Sequence, residues 1–143
     1  EIAEHLITHL KGEGSIICYS GFEKRIITNL GSAFPDLSEE LNLLINRLVD
    51  LNAIIRKNFY HPEFHGSTSI KTVLPILVPD ISYDELKIAD GDSASAAFAY
   101  LALGKYKNTE VESVRTSLLE YCKQDTLAEV RLHQQLCECI RNR

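Results

Sequence analysis

The 143-residue sequence contains no methionine, although a natural chain of this length ordinarily carries several. A processed or truncated piece, or one expressed with methionine substituted, is therefore expected. No apolar run reaches the ~18–20 residues of a membrane-spanning helix, so no membrane partner is expected. The opening residues, EIAEHLITHLKGEG, are acidic and amphipathic. No secretion signal is therefore expected here, since one needs a basic start and an apolar stretch. A basic excess is missing as well, since the formal net charge is −5; a chain living by non-specific phosphate contacts shows the opposite sign. The four cysteines, Cys18, Cys122, Cys137 and Cys139, show no disulfide framework. Cys137 and Cys139 on a helix point to different faces and make a poor metal clip. Free thiols in a reducing cytoplasm are the expectation. Repeats, low-complexity tracts, glycine-rich phosphate loops, nucleophile elbows and dinucleotide fingerprints are absent.

What remains is the composition of an ordinary globular chain, 45% hydrophobic and 24% charged, long enough for one sizeable core. Residues 1–143 are expected to form a single domain or a domain fragment. Ile2, Leu6, Ile7 and Leu10 keep a helical rhythm that stops at Gly12 and Gly14. Ser15 to Tyr19 is β-branched and aromatic, the pattern of a short buried strand. A helix then starts at Ser20 or Gly21, with Phe22, Ile26, Ile27 and Leu30 on one face. Asp36 or Ser38 is placed to cap a third helix lined by Leu41, Leu44, Ile45 and Leu48. Val49-Asp50-Leu51 fits either a short strand or the end of that helix.

Asn58 to Ser69 reads as an ordered loop and Ser69 to Leu74 as the start of a helix ended by Pro79. Ser82 to Leu86 reads as a turn into a further helical stretch. The alanine-rich run Ala94 to Leu103 is a strong helix former. A last helix runs from about Thr109 to Tyr121 and continues, straight or kinked, to Arg141. The sum is a helix-rich α/β chain, with one or two strands among about seven helices.

Tyr121 and Asp125 lie four apart, on one face of a helix. In metal-dependent phosphodiester cleavage a carboxylate holds a divalent ion and a neighbouring phenol orients the attacking water. The acidic net charge does not exclude such chemistry, because the metal meets the phosphate. Glu23 sits where a strand gives way to the first turn of a helix, a position that also complements the helix dipole. His61 and His65 are spaced as a helical chelate, but Pro62 and Gly66 argue for loop packing. Ser67, Ser69 and Lys71 fit either a phosphate at a helix start or ordinary capping. Lys24, Arg25, Arg56 and Lys57 are candidates for nucleic-acid backbone contacts, or simply surface charge. Asp50 fits an acid behind the site or a strand-end residue. Asp90-Gly-Asp-Ser has too few acids for a calcium loop.

Tyr121-Cys-Lys-Gln-Asp125 resembles the third motif of DEDD exonucleases of the tyrosine subtype. Ile16-Ile-Cys-Tyr-Ser-Gly-Phe-Glu23-Lys resembles the second, with Phe22 packed beneath Glu23. Two departures stand out: the family has Asn at the strand end where this chain has Tyr19 or Ser20, and Asp in place of Glu23. Together with Phe59-Tyr-His-Pro, Gly66 to Pro75, Ile81-Ser-Tyr-Asp-Glu-Leu and Leu119 to Leu127, these segments are similar to an uncharacterised bacterial family among the DnaQ-like exonucleases. The resemblance implies the later portion of a ribonuclease-H-like fold and 3′–5′ cleavage of DNA or RNA. It implies Mg²⁺ or Mn²⁺ held by Glu23 and Asp125, with Tyr121 orienting water. The family's first motif, Asp-x-Glu, does not occur in these 143 residues. The chain alone is therefore expected to bind metal weakly and to be inactive, and the surface left open by the missing strands is expected either to form a homodimer or to be refilled by the chain's own N-terminal helix. The alternative is a module that has lost catalysis and kept a groove for nucleic acid or protein.

Overall fold

The computed structural model describes residues 1–141, which divide into two compact units, Glu1–Val73 and a second beginning at Leu74. The first unit opens with α1 (Ile2–His9), followed by the strand β1 (Ile16–Cys18) and α2 (Phe22–Ala33). A 3-10 turn, Pro35–Leu37, then leads into α3 (Ser38–Ile45), β2 (Leu48–Asp50) and α4 (Leu51–Asn58). β1 and β2 pair in parallel, with Ile16 opposite Leu48 and Cys18 opposite Asp50. Parallel strands cannot be joined by a hairpin, and here α2 and α3 form the crossover. Their apolar stripes close on each other: Ala3, Ile27, Leu41 and Leu44 make a buried cluster, with Leu6, Ile16, Leu30 and Leu48 against it. Arg47 ties the entry to β1, donating to the carbonyls of Gly14 at 2.7 Å and Leu10 at 2.6 Å.

Four readings of this half are corrected. Phe22 is 54% exposed, with the Arg25 guanidinium 5.4 Å over its ring, so it does not pack beneath Glu23. Ile26 is also exposed, because α2 turns Ile27 and Leu30 toward the core. Neither Asp36 nor Ser38 caps α3 through its side chain. The turn begun by Pro35 runs straight into that helix, with Ser38 already inside it. Leu48 leaves the third helix altogether and joins β2.

α5 (Ile70–Leu77) contains the division between the units. In the second unit residues 78–90 form turns and bends rather than the expected helix after Ser82. Asp90 caps α6 (Gly91–Ala102), accepting from Ser93 N at 2.8 Å. α6 packs against α7 (Asn108–Arg141), one uninterrupted helix of 34 residues. The described residues thus hold seven α-helices and one two-stranded sheet. No helix among them is long and apolar enough to cross a membrane.

Candidate functional site

In the first unit the polar side chains gather where β1 and β2 end. Ser20, just past β1, has φ +81°, a left-handed conformation that costs a side chain such as serine roughly 1–2 kcal/mol. Asp50 holds it there. Its Oδ1 accepts from Ser20 N at 2.8 Å and from Ala53 N at 3.2 Å, so one carboxylate oxygen fixes the strand exit and caps α4. Asp50 is accordingly engaged as a strand-end clamp. Tyr19 points its phenol to the carbonyl of Thr68 at 2.6 Å, and the Asn52 amide donates to the same oxygen. Burial pushes the Tyr19 phenol up to about 12, with the Asn52 bond opposing and the Asp50 charge reinforcing.

Glu23 occupies the first turn of α2, immediately after this clamp, with one carboxylate oxygen shielded from solvent. Lys24 beside it is exposed. Ser69 accepts from Thr72 N at 3.3 Å and its hydroxyl meets that of Thr72 at 2.9 Å, the geometry of an N-cap for α5. Ser67 joins this network through Thr72 Oγ1 and Ser69 N, both at 3.3 Å, and Lys71 is exposed on the first turn. The hydroxyls here are occupied by capping. His61 and His65 do not share a helix: His61 accepts from Glu63 N and packs on Phe64, while His65 is left-handed. Arg56 and Lys57 are exposed on the last turn of α4.

In the second unit Tyr121 and Asp125 do share a face of α7, half-buried, as their spacing requires. A third residue joins them. Tyr83, buried in the turn segment, donates to Asp125 Oδ1 at 2.7 Å, and its ring lies 6.3 Å from that of Tyr121. The Tyr121 phenol oxygen reaches the start of α6, where a Cβ on Gly91 would stand 3.5 Å from it. Burial raises both phenols well above the usual tyrosine range; the hydrogen bond and charge of Asp125 add to the shift of Tyr83, and its charge and hydrogen bond to that of Tyr121. Both therefore stay protonated, and Tyr83 serves as the donor to the carboxylate. Gln124 also fastens the segment, donating to the Ser82 carbonyl at 2.7 Å. Tyr83 lies 42 residues from Asp125 in sequence and within a stretch of no helical or strand period, so no local pattern identifies it.

The acids do not compose a metal centre alone: among the described residues no group of three His, Cys, Asp or Glu side chains could hold an ion. An open apolar groove of about 820 Å³, bordered by Ile2, Leu6, Leu30 and Phe34, contains none of the predicted site residues.

Residues 1–69 match a family described as a domain of unknown function (DUF2779). No curated protein and no solved structure matches the chain. The matched stretch contains the strand-end cluster with Glu23 and Asp50, whereas Tyr83, Tyr121 and Asp125 lie outside it.

Proposed function

We propose that this chain is the later portion of a ribonuclease-H-like, DnaQ-type 3′–5′ exonuclease domain that acts on nucleic-acid strands in the cytoplasm. The observation that carries the reading is the β1–α2–β2 unit, in which Glu23 follows the carboxyl end of a parallel strand behind a left-handed Ser20 held by Asp50. Ligands of open parallel sheets gather at that end of the strands. Backbone strain retained by its surroundings also concentrates at functional positions.

The Tyr121–Asp125 pair supports the same reading from the second unit. A phenol kept protonated beside a carboxylate is suited to donate a hydrogen bond to water. Glu23 and Asp125 are the acids of this proposal, and Lys24, Ser67, Ser69 and Lys71 are its candidate contacts to the strand. Mg²⁺ or Mn²⁺ belongs to it only together with carboxylates that this chain lacks, since a two-metal centre needs acids from both sides.

A second reading, a catalytically degenerate module that binds nucleic acid or protein, is favoured by Tyr83. Its phenol already engages an oxygen of Asp125 that a metal would need. The deciding experiment is Mn²⁺-dependent degradation of labelled single-stranded DNA and RNA. It compares this chain with a longer polypeptide carrying an Asp-x-Glu segment ahead of it, and with Asp125→Asn in that polypeptide. Cleavage by the longer polypeptide, absent from the other two, is the expected result. Binding without cleavage of both substrates would overturn the exonuclease reading in favour of the second.

A further inference from the structure

On α7, His133 and Cys137 stand one turn apart, and the imidazole Nε2 lies 3.6 Å from Cys137 Sγ. A tetrahedral zinc ion with Zn–S of ~2.3 Å and Zn–N of ~2.0–2.1 Å holds such atoms roughly 3.5–3.6 Å apart. The pair already has the bite of a tetrahedral metal. His133 is exposed and Cys137 half-buried, so an ion reaches both from solvent. Among the described residues no third His, Cys, Asp or Glu completes the set, and structural zinc takes four ligands. Cys139, two residues on, points to another face of the helix.

The same face of α7 indicates where the other two ligands come from. Val130 and Ile140 flank the pair, and the spacing 130, 133, 137, 140 alternates three and four, as in a coiled-coil seam. Both are exposed, at 48% and 74%, on a helix whose buried positions are Ser117, Ala128 and Leu132.

We propose that a second copy of this chain docks along this face of α7, and that His133 and Cys137 of the two copies hold one Zn²⁺ in a Cys₂His₂ set. Two thiolates balance the charge of the ion, so closing the apolar residues over it buries no net charge. Thiolate and imidazole select zinc over magnesium or calcium. Each thiol releases its proton to solvent on binding.

Co²⁺ is the probe to use first, in the presence of a non-thiol reductant that prevents disulfides. The expected result is thiolate-to-cobalt charge-transfer absorption with tetrahedral d–d bands, saturating at one metal per two chains. Zn²⁺ should double the mass in sedimentation, and EDTA should restore the monomer. Cys137→Ser and His133→Ala should each remove the absorption and the dimer, whereas Cys139→Ser should remove neither. All three positions lie outside the core, and unchanged circular dichroism verifies the fold. Saturation at one metal per chain with unchanged mass would overturn the proposal. So would charge-transfer absorption that survives Cys137→Ser, or a dimer that persists in EDTA.

Discussion

Tyr83 donates to Asp125 Oδ1 at 2.7 Å, and this bond fastens the turn segment before α6 to the middle of α7. Hydrogen bonds to charged groups contribute ~1.5–3 kcal/mol, and the donor here is buried. Tyr83→Phe is expected to lower the stability read from urea denaturation by about 1–3 kcal/mol. Asp125→Asn keeps an acceptor oxygen toward Tyr83 and should cost less. Equal losses in the two variants would mean that the charge of Asp125, rather than the phenol bond, holds the segment.

At the exit of β1, two features oppose each other: the left-handed Ser20 costs free energy, and Asp50 holds it in place through Oδ1. Ser20→Gly removes the side-chain strain and should stabilise the chain by up to ~1 kcal/mol. Part of that gain is offset by the weak bond from Phe22 N to the Ser20 hydroxyl. Asp50→Ala removes the clamp and the α4 cap together and should cost about 1–2 kcal/mol. A neutral Asp50→Ala would show that neither backbone bond matters.

Much of the fold was legible because period and punctuation carried it. The apolar rhythm of α1, the β-branched run of β1 and the alanine-rich α6 all lie where those signals put them. Asp50 remained ambiguous because a three-residue strand followed at once by a helix has no period of its own; only pairing with Cys18 and the cap on Ala53 decide it. Phe22 was misplaced because a helical stripe of four apolar residues is wider than the face α3 covers. Of the candidate site, the shared face of Tyr121 and Asp125 follows from a spacing of four. Tyr83 was illegible as their partner because the contact spans 42 residues through irregular chain. His133 and Cys137 were not legible as a pair because a spacing of four on a helix is common and by itself marks no ligand set.

Arg131 and Asp80 meet at 2.7 Å, as close as any polar contact to Asp125, yet both side chains are well exposed, at 44% and 60%. Exposed ion pairs contribute ~0.2–1 kcal/mol at most and are screened by salt. Asp80→Asn should therefore change stability by under about 0.5 kcal/mol, and by nothing measurable at 1 M salt, where the Debye length is ~3 Å. A loss approaching that of Tyr83→Phe would show that the pair, and not the buried phenol, fastens the segment to α7.

Alkali should unfold this chain through two buried tyrosines, Tyr19 and Tyr83, and the half-buried Tyr121. Burial raises the Tyr19 phenol from 10.0 to about 12, and raises Tyr83 and Tyr121 further. The unfolded chain loses these protons near pH 10.0 while the folded chain keeps them, so above that pH the unfolded state binds fewer protons and stability falls as pH rises. The contribution is complete below pH 10.0 and, for Tyr19, is lost as pH rises through about 12. Phenolate absorbance from these three residues is expected to appear together with the loss of helical circular dichroism, not before it. Tyr19→Phe should lower stability near pH 8, because the bond to the Thr68 carbonyl goes, and should make the decline above pH 10 shallower. If all the phenols titrate near pH 10 while the helical signal is intact, the tyrosines are in contact with solvent and the buried bond from Tyr83 to Asp125 does not exist in solution.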